Sequence, residues 1–368
     1  MKSRTIAEIR TSYYRIPLQR VLVDALHGDH TYFELIVTRV FLEDGSEGVG
    51  YTYTGGKGGK AIYAMIQADL QPVLIGQEAC CIEKLWTAMQ RHVHYVGRGG
   101  VEAFAIAALD IAMWDLQAQQ ARMPLWKLLG GANPKVRAYA GAIDLNFSLE
   151  ELAENNRNYL EQGFRAVKIK LGKERIEEDI ARVEAVRCCI GKDILLMIDA
   201  NTGWSVERAI KVEKQLRSFD VFWIEEPLIP DDIAGYARIA DKSRTPLAAG
   251  ENFHSIYEFR QMLQYGKIDF PQPDASNISG ITGWLKVAQL AQAYNLPVSS
   301  HGMHELHVSL LAAMPHAGYL EVHSFPIDEY TDRPMRLQDG VATPPDTPGH
   351  GVKFRREKLE PHEVKIVL

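Results

Sequence analysis

The chain has 368 residues, 46% hydrophobic and 24% charged, and its 41 Lys and Arg against 47 Asp and Glu leave a formal net charge of -6. This is the composition of a soluble globular protein long enough for a barrel with an attached domain, which excludes a small disulfide scaffold. No apolar run reaches the roughly 18 residues of a membrane span, and no Lys/Arg block offers the positive face that nucleic acid or an acidic membrane requires, so the expected partner is a small molecule.

In chain order, Met1 to Thr5 leads into no signal-like apolar stretch, and a cytoplasmic location is expected. Phe33 to Leu42 is β-branched and partly alternating, Glu43-Asp44-Gly45-Ser46 supplies a turn, and Gly48 to Tyr53 returns, predicting a hairpin. Gly55-Gly56-Lys57-Gly58-Gly59 lacks the phosphate-cradle motif and reads as a mobile flap. From Glu102 to Arg122 an Ala-rich segment carries Phe104, Ala107, Ala108, Ile111 and Leu116 at helical spacing until Pro124 stops it. The adjacent pairs Cys80-Cys81 and Cys188-Cys189 lack C-x-x-C spacing and read as reduced, mostly buried thiols.

Beyond residue 130 the rhythm changes to short apolar runs alternating with amphipathic stretches. The runs are Val136 to Ala140, Ala166 to Lys170, Leu195 to Asp199, Val221 to Glu225, Pro246 to Glu251, Ile268 to Gln272, Pro297 to His301 and Tyr319 to Val322. Eight of them predict a closed β/α barrel. An open doubly wound sheet is the alternative, but G-x-G-x-x-G is absent after a first strand. The organisation expected is an α+β domain over 1–130, the barrel over 131–330, and a Pro/Gly-rich tail over 331–368 that returns to cover the first domain.

Barrel enzymes place their chemistry where strands end. Asp199, Glu225 and Glu251 end three successive runs and are each 26 residues apart, so they converge at one rim. Three carboxylates cannot sit together ionised without a cation, and a hard divalent ion, most simply Mg2+, resolves the repulsion. Taken singly, each acid reads better as a helix N-cap or first-turn carboxylate; the equal spacing is what favours the site. Lys168 and Lys170, two apart, share a strand face, where each ammonium depresses the other's pKa and part of Lys170 becomes the neutral amine a base requires. Asp274 and His301 end consecutive runs, so the carboxylate can orient the imidazole as a second acid/base. Glu321, on the last run, could donate to a developing oxyanion if kept protonated.

In order and spacing, Lys168-Ile169-Lys170, Asp199-Ala200-Asn201, Trp223-Ile224-Glu225-Glu226-Pro227, Gly250-Glu251-Asn252, Gln272-Pro273-Asp274 and Ser299-Ser300-His301 resemble the mandelate racemase subgroup of the enolase superfamily, over essentially the whole chain. The resemblance implies a modified TIM barrel, (β/α)7β, with an N-terminal capping domain. It implies one Mg2+ held by Asp199, Glu225 and Glu251, with Lys168 adding positive charge at the substrate carboxylate. Lys170 and His301 then stand on opposite faces of the α-carbon, Asp274 orients His301, and Glu321 hydrogen-bonds the enediolate. Asn201 joins the substrate-binding set, as do His27, in the lid loop Val21 to His30, and Lys57, in the glycine flap. A homo-oligomer, dimer or octamer, is implied by analogy.

The expected reaction is dehydration of an aldonate or aldarate to a 2-keto-3-deoxy acid. Racemisation or epimerisation of a 2-hydroxy acid is the alternative. The stretch Tyr139-Ala140-Gly141 lacks the hydroxyl that mandelate racemase places at the first barrel strand, which argues against mandelate. A retired enzyme kept as a binding protein predicts eroded acids and bases, and none is missing.

Overall fold

The computed structural model describes residues 4–367. Three antiparallel strands open the chain in the order β1 (Ile6–Asp24), β2 (Gly28–Leu42) and β3 (Glu47–Thr54). The helix Val101–Gln120 packs on this sheet; it is apolar nearly all round and buried over most of its length. A Cβ on Gly50 would overlap the carbonyl oxygen of Ala108, so a bare backbone at that position lets strand and helix approach this closely. Gly50→Ala is expected to destabilise the protein by about 1–3 kcal/mol, the usual cost of overpacking. The measure is a lower urea midpoint at unchanged slope; an unchanged midpoint would show that the helix gives way freely. The far side of the helix meets the helix Gly280–Ala293, where Asp110 accepts the Thr282 hydroxyl at 2.6 Å and the Trp114 indole donates to Thr282 Oγ1 at 2.9 Å.

The second sheet is built from parallel neighbours: β4 (Val136–Gly141), β5 (Ala166–Lys170), β6 (Leu195–Asp199), β7 (Val221–Glu225), β8 (Leu247–Ala249) and β9 (Phe270–Pro271). After β9, Ser299 donates to the Pro271 carbonyl at 2.9 Å, Val298 bridges Ala317, and Ser300 donates to Tyr319 at 3.0 Å. Then β10 (Leu320–His323) pairs with β4 and closes the ring. The helices Leu149–Glu161, Ile176–Ile190, Val206–Leu216, Ile233–Ala240, Ile256–Gln261, Gly280–Ala293 and His304–Ala312 stand between successive positions, giving the (β/α)7β barrel that was expected. Tyr139, Ala166, Met197, Trp223, Ala248 and Tyr319 fill the barrel interior as one cluster, forming a floor below the strand ends.

Beyond the barrel, β11 (Arg336–Gln338) and β12 (Val341–Thr343) form a hairpin whose second strand pairs with Val136 and Arg137 of β4. The chain then crosses to the first sheet, where His350 Nε2 donates to the Val49 carbonyl at 2.6 Å and the Val364 N–H donates to Tyr13 at 2.8 Å.

Three local expectations change. The run Ile268 to Gln272 is a strand only at Phe270–Pro271, and Pro297 to His301 contributes a single bridge at Val298. Pro271, Pro273 and Pro297 lack the N–H a ladder needs, and serine side chains join the pairing here as acceptors: the Tyr319 N–H donates to Ser299 Oγ at 3.1 Å. The lid segment Val21 to His30 is not a loop but a two-stranded ribbon, with Leu22, Val23 and Asp24 paired to His30, Asp29 and Gly28. All four cysteines are free as expected, but none is buried: Cys188 is exposed and the others are half-buried.

Candidate active site

The parallel register sets Lys170 beside Asp199 and Asp199 beside Glu225, while Glu251 stands two residues beyond β8. Lys168 and Lys170 both point inward, as their spacing predicts. Lys170 Nζ donates to Asp199 Oδ2 at 2.6 Å. Lys168 Nζ bonds Glu225 and reaches Glu321 Oε1 at 2.8 Å and Asp199 Oδ2 at 3.4 Å. One ligand oxygen each from Asp199, Glu225 and Glu251 lies within 4.8 Å of the others.

Burial, reinforced by Asp199, Glu321 and Glu251 and opposed by Lys168, pushes Glu225 up to about 8. Asp199 is held below the usual carboxylate range, since Lys170 and Lys168 outweigh the burial that would raise it. Two lysines therefore do not suffice to ionise every acid of the cluster. A hard divalent cation with oxygen ligands fits this donor set, and the buried Asn201 Oδ1, without a hydrogen-bond partner among the described residues, lies two residues from Asp199.

Across the mouth, His301 Nδ1 donates to Asp274 Oδ2 at 2.9 Å, and Nε2 faces Glu251 Oε2 at 3.4 Å and Glu321 Oε2 at 3.8 Å. Burial would lower the imidazole, but Glu251, Glu321 and Asp274 together raise it to about 10. Glu321 is reached from β10 and accepts the Gly302 N–H at 2.9 Å. A Cβ on Gly141 would overlap the Glu321 carboxyl, so the same glycine that excludes a hydroxyl from this position admits the glutamate.

Two expectations about protonation are corrected. Lys168 does not hold Lys170 partly neutral in this arrangement. Burial lowers Lys170 and Lys168 opposes its charge, but the Asp199, Glu251 and Asp24 carboxylates win and it is raised above its ordinary value. Glu321 is not kept protonated: burial favours the acid, yet Lys168, His301, His323 and Lys170 hold it well below the usual range. As placed, it accepts hydrogen bonds.

These groups open into a cavity of ≈ 270 Å³ whose other wall comes from the first domain. Asp24, at the end of β1, accepts the N–H groups of Leu26 at 2.9 Å and His27 at 2.6 Å, and pairs with His27 Nδ1 at 3.0 Å and His30 Nε2 at 2.8 Å. Burial notwithstanding, the two imidazoles hold its carboxyl well below the usual range, and Asp24 raises His27 in return. Lys57 also lines the cavity. Asp144 ties lid to barrel: it bridges Val23 of β1, and its Oδ1 accepts the Lys170 N–H at 3.0 Å. The buried Arg182 donates to the same oxygen at 2.9 Å and to the Lys170 carbonyl at 3.2 Å.

Residues 15–130 match the mandelate racemase / muconate lactonizing enzyme N-terminal domain, and residues 151–358 match the enolase C-terminal domain-like family. The chain belongs to the mandelate racemase family of the enolase superfamily. It is 46% identical, over 96% of its length and 98% of the relative's, to a 3,6-anhydro-alpha-L-galactonate cycloisomerase of Streptomyces coelicolor. A racemase from Streptomyces coelicolor A3(2), solved with bound magnesium, superposes at a TM-score of 0.95 with 46% identity, covering 98% of this chain and 100% of that one. An L-talarate/galactarate dehydratase from Salmonella typhimurium LT2, liganded with Mg and L-lyxarohydroxamate, superposes at 0.93 with 32% identity, covering 98% and 93%.

This superfamily member places every residue singled out in the sequence at one mouth, from both sheets. Sequence reasoning gave no individual role to five groups there. Asp24 and His30 sit in Asp24-x-x-His27-x-x-His30, a spacing that a ribbon reading would have brought together. Glu226 follows a candidate ligand, is buried, and accepts from Asn252 Nδ2 at 2.6 Å; its positive φ of 36° turns it inward where simple alternation would send it out. His323 and Phe325 continue the alternation begun at Glu321 and line the cavity.

Among the described residues no helix is long and apolar enough to cross a membrane.

Proposed function

We propose that this chain removes the α-proton of a sugar acid and expels the oxygen on C3, giving a 2-keto-3-deoxy acid. The observation that carries the reading is the opposition of Lys170 and the His301/Asp274 dyad across one cavity, with Asp199, Glu225 and Glu251 between them. Around the closed barrel Lys170 ends the second strand position and His301 follows the seventh of eight, so they approach a bound α-carbon from different sides.

Asp199, Glu225 and Glu251 would hold Mg2+, which when bound supplies positive charge against the substrate carboxylate and the charge that develops on it. With Asp199 engaged as a ligand, its hold on the Lys170 ammonium weakens, leaving burial and Lys168 to favour the neutral amine that takes the proton. Lys168 stays protonated against Glu225 and Glu321. The electron pair of the broken C2–H bond forms C2=C3, the C3–O bond breaks, and protonated His301 gives its proton to the departing oxygen. The enol then gains a proton at C3 to become the keto acid.

If that oxygen is a hydroxyl, water leaves and the reaction is a dehydration. If it belongs to a 3,6-anhydro ring, the oxygen stays tethered through C6 and the net change is an isomerisation. The 46% identity to a cycloisomerase of a 3,6-anhydro acid along nearly the whole chain supports the second outcome, with a 3,6-anhydrohexonate as substrate. Dehydration of an open-chain aldarate is the second reading, supported by the likeness to the L-talarate/galactarate dehydratase.

The test is incubation with Mg2+ and a panel of 3,6-anhydrohexonates, aldonates, aldarates and mandelate, with 2-keto products trapped as semicarbazones. Keto acid from the anhydro acid, without release of water, is expected. If no sugar acid yields a keto acid while some 2-hydroxy acid exchanges its α-proton with D2O, the chain is a racemase or epimerase instead.

A further inference from the structure

His323 lies two residues beyond Glu321 on β10 and lines the same cavity. The reaction outlined above gives it no task. Its Nδ1 accepts the Phe325 N–H at 3.2 Å. A ring nitrogen that accepts a hydrogen bond carries no proton, so the single proton of this imidazole sits on Nε2.

The ring is also held in place. His301 lies edge-on to it at 5.5 Å between centroids and Phe325 at 4.5 Å, and Phe325 is in turn stacked on Phe33 at 5.2 Å. Burial keeps the ring neutral; Glu321 alone opposes, and His301, Lys170 and Lys168 add to the burial, so its pKa falls well below the ordinary value. The other imidazoles of the mouth and the Lys170 ammonium have anionic partners: Lys170 with Asp199, His301 with Asp274, His27 and His30 with Asp24. His323 thus stands out as a neutral N–H donor fixed in a mouth of charged groups.

We infer that His323 Nε2–H forms a subsite for an uncharged oxygen of the substrate, the hydroxyl or ether at C3, on the side served by His301. This rests on the sugar-acid reading and adds to it the group that selects which acid is accepted. A charged donor at this point would compete for the substrate carboxylate; a neutral one discriminates an oxygen-bearing carbon from a deoxy carbon, because an analogue without the oxygen covers the half-buried donor and leaves it unpaired. The same bond strengthens as negative charge grows on the departing oxygen.

The experiment uses binding, so turnover does not enter. In Mg2+-loaded Lys170→Met protein, calorimetry compares a hexonate with its 3-deoxy counterpart. With His323 present the hexonate is expected to bind about tenfold more tightly, the usual worth of one neutral hydrogen bond. In His323→Phe, which keeps a ring but no donor, the preference is expected to disappear, and in His323→Gln, which returns a neutral N–H, to come back. His323→Leu serves as a second donorless variant should the Phe form fold poorly. A preference that survives in the donorless variants, or that is absent with His323 in place, overturns the subsite while leaving the sugar-acid reading standing. Binding of neither acid overturns both.

Discussion

Lys170→Met protein is expected to lose α-proton exchange by about 10²- to 10⁴-fold, the usual contribution of a positioned base, whereas His301→Asn keeps exchange within about threefold and loses C3–O cleavage by a similarly large factor. The asymmetry follows from position. Lys170 sits beside Asp199 on the β5 and β6 side, while His301 faces Glu251 and Glu321 on the other, so either variant leaves the opposite group untouched. Deuterium uptake at C2 followed by NMR, together with keto acid formation, separates the two steps; equal loss of exchange in both variants would contradict the two-sided arrangement. A pH dependence accompanies this. His301 must be protonated to act as an acid, and Glu321 and Asp274 add to Glu251, whose pull a bound cation would weaken, in raising it above its ordinary value. The cleavage step therefore falls as pH rises past the His301 pKa. Asp274→Asn removes one of the raising anions and should shift that basic limb to lower pH. A limb unmoved by the substitution would assign the titration elsewhere.

Glu225→Gln is expected to act on activity and stability in opposite directions. Removing one of three carboxylates should cost the chain its divalent ion and lower activity by about 10³-fold or more, since a cation at developing negative charge contributes several kcal/mol. In the metal-free protein the same change should stabilise. The Glu225 pKa rises from 4.5 to about 8 on folding, so between those values the folded state binds more protons than the unfolded one. Its contribution is most favourable below 4.5 and is lost as pH rises through 8. Glu226, raised by burial and by Glu251 and Asp199, contributes a slope of the same sign. Metal-free protein should accordingly unfold more easily at pH 8 than at pH 5.5, Mg2+ should reverse the trend by binding only the folded state, and Glu225→Gln should flatten it. Urea titrations at the two pH values, with and without Mg2+, provide the check. A metal-free protein whose stability rises over this interval would mean that the lysines, not a missing cation, balance the cluster.

How much of this was legible in the sequence depended on whether the signal was periodic. Parallel barrel strands are short apolar runs, and the polar residues at their ends fall at nearly equal spacing, so Lys168, Lys170, Asp199, Glu225, Glu251, Asp274, His301 and Glu321 could be placed at one rim before any coordinates. Where the backbone departs from regular geometry, the reading failed. Glu226 was passed over because strand alternation points it outward, and only its left-handed φ brings it in. The β1–β2 ribbon was taken for a loop because polar lid residues mask strand pairing, which hid Asp24 and His30. Protonation was the other gap: the two-lysine argument weighed like charges against each other and left out the Asp199, Glu251 and Asp24 carboxylates that outweigh them.

Asp144 joins three parts of the machine that belong to different segments of the chain: its backbone bridges the Val23 end of the lid ribbon, and its carboxylate accepts from the Lys170 N–H and from Arg182. A shift of the ribbon therefore passes to the Lys170 backbone through a single residue, by its peptide on one side and its carboxylate on the other. The ribbon of the first domain is in this sense geared to the barrel.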